Sequence, residues 1–244
     1  MKKLVAYPLS VLYFIAFGLL LVIFHAIQWF CFNVIGYQAH KKSVDVLNFF
    51  IMRCTNILGT RYSFKYSEPI PTGQPIIIVA NHQSMYDIPA IIWHMRKYHP
   101  KFISKKELGK GIPSVSYNLR HGGSVLIDRK DRAKAIADLR EFAKYIHKTK
   151  RAAVIFPEGT RSRDGNPKKF AVAGLKTLFE FVPDAIVVPV SINNSWKLLE
   201  YGKFPMGIGV FVKFEVHAPI PVADKTPKEL LEHIEKTIKD AIHI

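Results

Sequence analysis

The feature that most constrains this chain is an uncharged apolar segment near its N-terminus. No Asp, Glu, Lys or Arg occurs from Leu4 to Ala39, whereas Lys2 and Lys3 precede the segment and Lys41 follows it. A helix needs roughly 20 apolar residues to cross a bilayer, so this segment is long enough to enter a membrane. A cleaved signal peptide is disfavoured, because its apolar region would be shorter and would end at a small-residue cleavage site.

Three arrangements of this segment remain open: a helical hairpin, a single transmembrane helix, and a buried helix pair in a soluble protein. Basic residues at both ends favour both ends in the cytoplasm, which a hairpin with its turn near Gly18 or His25 satisfies. Each arm would have about 15–20 residues and rise about 23–30 Å, so it would barely cross the bilayer. We therefore expect residues 1–42 to form membrane-anchoring helices and residues 43–244 to form a separate domain.

The composition excludes several protein classes. Apolar residues make up 49% of the chain, which argues against disorder. Two cysteines, Cys31 and Cys54, cannot form a disulfide framework, and no Cys/His cluster has zinc-site spacing. The net charge of +16, from 35 basic and 19 acidic residues, indicates an anionic partner such as nucleic acid, a membrane surface or a phosphorylated substrate.

After residue 43 the hydrophobic pattern alternates between strand and helix character. The predicted strands are 62–66, 76–80, 102–104, 124–128, 152–156, 185–192 and 208–216, with helical patterns at 44–58, 88–95, 136–146, 175–179 and 226–242. The last helix opens with Thr226-Pro227-Lys228-Glu229, which is typical of a capping box. Strands that alternate with helices predict an α/β fold with a seven-stranded, mostly parallel or mixed sheet flanked by helices.

A histidine and an aspartate follow the first strongly apolar strand, in the sequence Asn81-His82-Gln83-Ser84-Met85-Tyr86-Asp87. The carboxyl ends of strands in such sheets are where ligands bind, and histidine is suited to general-base chemistry near neutral pH. If His82 stays in the loop and Asp87 lies in the first helical turn, the carboxylate can orient the imidazole. The alternative is that the two residues only cap a helix.

A second polar segment, Pro157-Glu158-Gly159-Thr160-Arg161, follows the strand at 152–156. Glycine allows a close approach of the backbone to a ligand, and the planar guanidinium of Arg161 suits phosphate. A surface turn built on Asp164-Gly165 is the alternative for this segment. Ser84 is not expected to be a nucleophile, because no G-x-S-x-G elbow surrounds it.

Asn81-His82-Gln83-Ser84-x-x-Asp87 followed by Phe156-Pro157-Glu158-Gly159-Thr160-Arg161-Ser162 resembles the glycerolipid acyltransferases, specifically the bacterial-type 1-acyl-sn-glycerol-3-phosphate acyltransferases. Segments within 104–129 and Val188-Pro189-Val190 resemble two further blocks of that family, although Ser116 stands where the family often has glycine. The resemblance implies a glycerol-3-phosphate acyltransferase-like fold. It also implies transfer of a fatty acyl group from acyl-CoA or acyl carrier protein to the sn-2 hydroxyl of lysophosphatidic acid, giving phosphatidic acid.

The resemblance also implies roles for single residues. His82 is similar to the general base of the family, and Asp87 to its orienting partner. The positions associated with acceptor binding, or with support of that site, are Lys105, Arg129, Glu158, Gly159, Thr160 and Arg161. Because thiolate is a good leaving group, this reaction needs no metal and no cofactor beyond the acyl donor itself.

The basic residues concentrate in 96–110 and 129–151. Anionic lipid headgroups account for both this charge and the apolar segment, whereas no nucleic-acid-binding motif is recognisable. We therefore expect an enzyme of the cytoplasmic membrane with its active site on the cytoplasmic face, with membrane lipids, a lysophospholipid acceptor and the acyl donor as partners. An acyltransferase for another lysolipid, such as an amino-acid-headed one, and a non-catalytic lipid-binding module are the alternatives.

Overall fold

The computed structural model describes residues 2–243. In chain order the elements are α1 (Lys2–Phe30), α2 (Tyr37–Cys54), β1 (Arg61–Tyr66), β2 (Ile76–Ala80), α3 (Asp87–His94), β3 (Lys101–Lys105), α4 (Val115–His121), β4 (Val125–Ile127), α5 (Arg132–Thr149), β5 (Ala152–Ile155), α6 (Val172–Phe181), β6 (Ile186–Asn193), β7 (Phe211–Val216), β8 (Ile220–Pro221) and α7 (Pro227–Asp240). A π-helical turn, Cys31–Ile35, separates α1 from α2.

The strands form one sheet in the order β1-β7-β6-β2-β5-β3-β4, and β8 pairs with β6. Strand β6 is antiparallel to β7 and β8, and the other pairs are parallel. The α/β fold with a mixed sheet is therefore confirmed, with all seven predicted strands present. The sequence pattern missed β8, which has two residues, and helix α4, in which Ser116 bonds to both Leu108 and Ile112.

The core lies on both faces of the central strands. Every residue of β2, β5 and β6 is buried, which explains their uninterrupted apolar runs. Ile76 and Ile78 of β2 pack in the cluster that includes α3, whereas Ile77 and Val79 pack against α5, α6 and α7. Helix α7 begins with the predicted capping box: Thr226 and Glu229 satisfy each other's backbone N–H groups.

The N-terminal helix differs from the hairpin expected from the sequence. Helix α1 continues through Gly18 and His25, so the prediction of a turn at either position is wrong. Both residues keep the backbone N–H that a helix needs, which proline lacks. The chain turns at Gly36, whose φ of +117° favours glycine, and α2 then packs back along α1. The proposed boundary between residues 42 and 43 falls inside α2, and the division into two domains stays a prediction.

Helix α1 buries one narrow stripe and exposes the rest of its surface. Ala6, Tyr13, Leu21 and Phe24 face the protein, and α1 with the following turn, residues 2–35, is long and apolar enough to cross a membrane. Its exposed apolar side chains include Leu4, Val5, Val11, Leu12, Ile15, Leu19, Val22, Ile23, Trp29 and Phe30. A soluble protein rarely exposes a contiguous apolar surface of this kind, which points to an apolar environment around α1.

Candidate active site

The two polar segments singled out in the sequence lie side by side at one edge of the sheet. Strand β2 is parallel to β5, so the loop that carries His82 and the loop after β5 leave the sheet at the same edge. Strand β6 is parallel to β2 on its other side. The topology therefore places His82 between the carboxyl ends of two neighbouring strands, where an open α/β sheet forms its ligand sites.

His82 and Asp87 are in direct contact, as the sequence analysis expected. His82 stays in the loop, Asp87 is the first residue of α3, and Nδ1 of the imidazole lies 2.8 Å from Oδ2 of the carboxylate. The same oxygen accepts the backbone N–H groups of Gln83 at 2.8 Å and Ser84 at 2.9 Å. Asp87 is fully buried, and these donors compensate its carboxylate for the loss of water.

The imidazole is held by stacking as well as by hydrogen bonding. Its ring lies against the ring of Phe156, with centroids 4.0 Å apart and planes inclined by 17°, and only 12% of the His82 side chain is exposed. When the Nδ1 proton is donated to Asp87, the lone pair of the neutral ring resides on Nε2. Within residues 2–243, no hydrogen bond occupies Nε2 of His82. The site therefore presents one imidazole nitrogen as a proton acceptor.

Glu158 fixes the backbone of the histidine loop. Its Oε1 accepts the N–H of His82 at 3.0 Å, and its Oε2 accepts the N–H of Lys168 at 3.1 Å. Burial raises the pKa of Glu158, and these two N–H donors oppose that rise. The N–H of Ser162 donates to the carbonyl of His82 at 2.7 Å. Glu158 thus organises the loop with both oxygens, and its predicted contact with an acceptor lipid stays a prediction.

The other side of the histidine loop is bonded to the end of β6. Asn81 exchanges two hydrogen bonds with the backbone of Ile192, at 2.7 and 2.9 Å. Gln83 accepts the N–H of Ser195 at 3.0 Å, and the hydroxyls of Ser84 and Ser195 are hydrogen-bonded. The sequence pattern predicts no role for Ser195, nor for Gln83 beyond its place in the motif. No sequence signal identifies them, because their contact depends on which strand lies next to β2.

The predicted acceptor-binding residues lie in the loop after β5 and at the ends of two other strands, with Lys105 ending β3 and Arg129 following β4. Gly159 has a φ of +69°, and the guanidinium of Arg129 donates to its carbonyl, so Arg129 supports the loop. The ammonium of Lys168 donates to the hydroxyl of Thr160 at 2.8 Å and to the carbonyl of Arg161 at 2.9 Å. These contacts stiffen the segment without using the Arg161 side chain.

The exposed guanidinium of Arg161 forms no ion pair within residues 2–243. Its positive charge acts electrostatically on Tyr86, which directly precedes α3. Burial raises the pKa of Tyr86, and Arg161 partly counteracts that rise. Lys105 is also exposed and ends β3, the second strand from β2 in the sheet. Two free cationic groups thus lie on the edge of the sheet that carries His82, where they can attract an anionic ligand.

Comparison with known proteins identifies relatives of the chain. Residues 61–193 match the model of the Acyltransferase family. The 1-acyl-sn-glycerol-3-phosphate acyltransferase of Helicobacter pylori is 37% identical over 133 residues, covering 51% of this chain and 54% of that protein. The enzyme of the same name from Saccharomyces cerevisiae is 28% identical over 169 residues, covering 67% of this chain and 53% of that protein.

The chain thus aligns with about half the length of these two curated relatives. A solved structure covers far more of it: the 1-acyl-sn-glycerophosphate acyltransferase PlsC from Thermotoga maritima superposes with a TM-score of 0.78 and 26% identity, over 98% of this chain and 95% of that one. The family match includes the His82–Asp87 pair and the loop from Glu158 to Arg161. The chain therefore belongs to the acyltransferase family.

Proposed function

We propose that this protein transfers a fatty acyl group from an acyl thioester to the sn-2 hydroxyl of lysophosphatidic acid, giving phosphatidic acid. The observation that carries the proposal is the 2.8 Å contact between His82 and Asp87, at a strand edge that also bears the free guanidinium of Arg161. The names of the relatives from H. pylori, S. cerevisiae and T. maritima support the same activity.

The reaction needs a base, because an alcohol is a poor nucleophile at neutral pH. Nε2 of His82 accepts the hydroxyl proton while the oxygen attacks the thioester carbonyl, which general-base catalysis typically accelerates about 10²–10⁴-fold. Asp87 stabilises the imidazolium that forms. The tetrahedral intermediate then expels the thiolate, and the imidazolium returns its proton to the sulfur. Ester and thiol are the products, with no covalent enzyme intermediate and no metal or further cofactor in the scheme.

The acceptor carries a phosphate, which needs cationic partners. We assign Arg161 to this phosphate, because its guanidinium is unpaired in the described chain and can form two parallel hydrogen bonds to phosphate oxygens. Lys105 adds a second positive charge, whereas Arg129 and Thr160 act by shaping the loop. The net charge of +16 attracts acyl-CoA and an acidic acyl carrier protein alike, so either thioester is a candidate donor.

The exposed apolar surface of α1 supports a membrane-bound enzyme. We place α1 in the cytoplasmic membrane, with the active site on the cytoplasmic face and basic residues near anionic headgroups, each contributing about 1 kcal/mol. Nucleic acid is not among the proposed partners. Protease treatment of vesicles that carry tagged protein tests the topology: tags at residue 1 and at the C-terminus are expected to be cleaved from the same side. Cleavage of the two tags from opposite sides would indicate a single crossing.

The activity is tested with the full chain in detergent, by measuring thiol release from acyl-CoA or acyl carrier protein with and without lysophosphatidic acid. We expect release that depends on the acceptor and is abolished in His82→Ala, while His147→Ala, which alters an exposed histidine, retains it. Undiminished turnover in His82→Ala would refute the base assignment. Transfer only to an amino-acid-headed lysolipid would favour the second acceptor class, and no acceptor-dependent release with either donor would favour a lipid-binding module.

A further inference from the structure

A small cavity lies far from the histidine site. It has a volume of about 20 Å³ and is bounded by α2, by the segment that enters β3 and by the segment that joins α4 to β4. Lys101, which lines it, is the first residue of β3, whereas Lys105 is the last. Four strand steps of about 3.3 Å separate these two residues, so the cavity lies about 13 Å along the strand from the edge that carries Lys105.

Three basic side chains that line this cavity carry nitrogen atoms without a hydrogen-bond partner among the described residues. His40 is fully buried, and neither of its ring nitrogens has a hydrogen-bond partner. Nδ1 of His99 is also buried without one. Lys101 is 6% exposed; among residues 2–243 its ammonium donates no hydrogen bond, and it lies over the ring of Tyr37, 5.5 Å from the centroid. Buried polar groups in proteins almost always have partners, so two histidines with unpartnered buried nitrogens in the lining of one cavity indicate that it takes a polar occupant.

The charge around the cavity is positive. Lys41 and Lys101 line it, and the guanidinium of Arg151 lies over the ring of Tyr37, 4.5 Å from its centroid. The carboxylate in the cavity lining, Asp45, is already bound to Lys41 at 2.5 Å. Burial, and then the charges of Arg151 and Lys41, lower the pKa of Lys101 to about 7. A metal cation would be repelled here, whereas an anion would compensate the surplus charge.

Burial and nearby positive charges also lower the pKa values of the two histidines. Burial, followed by Lys101 and His121, lowers the pKa of His40 to about 4, and burial together with Lys41 and Lys101 lowers that of His99 to about 4. Both rings are therefore neutral near pH 7 and each can donate one N–H. The cavity thus offers one ammonium and two neutral N–H donors toward a single space.

We propose that this cavity binds one small monovalent anion of halide size, held by the ammonium of Lys101 and by N–H groups of His40 and His99. The volume of about 20 Å³ exceeds the roughly 10–15 Å³ that one water requires, so the cavity has room for one small ion. A water molecule could accept these hydrogen bonds, but it would leave the ammonium uncompensated. The anion joins α2, which follows the apolar α1, to the sheet.

Crystallography with bromide tests occupancy directly. Crystals of the full chain grown in sodium bromide should give an anomalous peak within hydrogen-bond distance of Lys101 Nζ. Lys101→Met, which removes the ammonium while filling similar volume, should lose the peak. Lys106→Met, an exposed lysine next to the other end of β3, should keep it. No peak in the unsubstituted protein would overturn the proposal, whether or not the variants crystallise.

A solution measurement separates a bound anion from an adventitious ion only. Thermal unfolding of the full chain in detergent is followed at constant ionic strength while chloride replaces gluconate, which is too large for the cavity. The unfolding temperature should keep rising with the logarithm of the chloride concentration once that concentration exceeds the dissociation constant, as expected for binding to the folded state alone, and Lys101→Met should show no chloride-specific rise. Equal unfolding temperatures in chloride and gluconate would overturn the proposal, even with a bromide peak. The test needs no enzyme activity, so its outcome is independent of the proposed reaction.

Discussion

The substitution Asp87→Asn tests the pairing on which the proposed chemistry depends. One oxygen, Oδ2, accepts three hydrogen bonds, from the His82 ring and from the backbone N–H groups of Gln83 and Ser84, and Oδ1 accepts the hydroxyl of Ser84 at 3.4 Å. The carbonyl oxygen of an asparagine placed there can accept the same three bonds. We therefore expect Asp87→Asn to fold, to keep the proton on Nδ1 of His82, and to lose the negative charge together with the long hydrogen bond that Oδ1 accepts from the Ser84 hydroxyl.

The size of the effect follows from that geometry. Charge centres about 4 Å apart interact with about 4 kcal/mol at the effective dielectric constant typical of proteins, which is the upper limit for the lost stabilisation of the imidazolium. Charge-assisted hydrogen bonds exceed neutral ones by about 1.5 kcal/mol, which is the lower limit. Each 1.36 kcal/mol is tenfold in rate, so kcat should fall between about 10- and 1000-fold. Reversal of the tautomer would cost more, about 10⁴-fold as in serine proteases.

Steady-state kinetics with both substrates varied measure kcat, and ¹⁵N chemical shifts of the imidazole nitrogens measure which nitrogen of His82 carries the proton. The KM for the acceptor should stay unchanged. The chain offers a matched control in His147 and Asp184, another histidine–aspartate pair 2.8 Å apart, with both side chains about half exposed. Asp184→Asn should leave kcat unaltered. A kcat for Asp87→Asn within threefold of the unsubstituted enzyme, or an equal loss in Asp184→Asn, would refute the assignment of Asp87.

Three further predictions concern the phosphate, the loop and the buried lysine. Arg161→Met should raise the acceptor KM about 10- to 100-fold, because charge-assisted hydrogen bonds contribute about 1.5–3 kcal/mol, while Arg163→Met should not; an unchanged KM would remove Arg161 from the site. Glu158→Gln should lower the free energy of unfolding by about 1–3 kcal/mol in denaturant titrations, because the amide NH2 of glutamine cannot accept the backbone N–H that one Glu158 oxygen accepts. The exposed Glu141→Gln is the control. An unchanged denaturation midpoint would contradict that role. Without chloride, the free energy of unfolding should rise from about pH 7 to 10.4, because the fold lowers the pKa of Lys101 to about 7 and the unfolded chain therefore binds more protons across that interval. Lys101→Met should flatten this part of the pH profile, and identical profiles for the two proteins would contradict the prediction.

Much of the fold could be predicted because burial leaves a continuous signal. Strands β2, β5 and β6 are buried on both faces and therefore read as uninterrupted apolar runs. Helix α4, of seven residues, and β8, of two, are too short to show a period. The predicted turn of the N-terminal segment was misplaced because residues 4–39 carry no Asp, Glu, Lys or Arg that would mark where one helix ends and the next begins. Hydropathy alone does not distinguish one long helix from two short ones there.

The site was predictable where its contacts are local. His82 and Asp87 are five residues apart, so a loop followed by a helical turn is enough to join them. The partners of Asn81 and Gln83 lie 111 and 112 residues away, and their contacts depend on the position of β6 beside β2. The sequence did not reveal Lys101 either, for a related reason. A lysine that opens a strand is ordinarily exposed, whereas Lys101 is buried beside residues of α2, α3 and α4 that are distant in the sequence.

The contacts around His82 explain how a loop can present a base in a fixed position. Its N–H and carbonyl are held by Glu158 and Ser162 from the loop after β5, while its neighbours Asn81 and Gln83 are held from the end of β6. Three adjacent, buried strands thus fix the backbone, and Asp87 and the stacked Phe156 fix the ring. Little reorganisation is left for the moment of proton transfer, which is how a protein makes electrostatic stabilisation effective. Because none of these contacts involves α1, changes on the exposed face of that helix should alter how the enzyme meets its lipid rather than the geometry of the base.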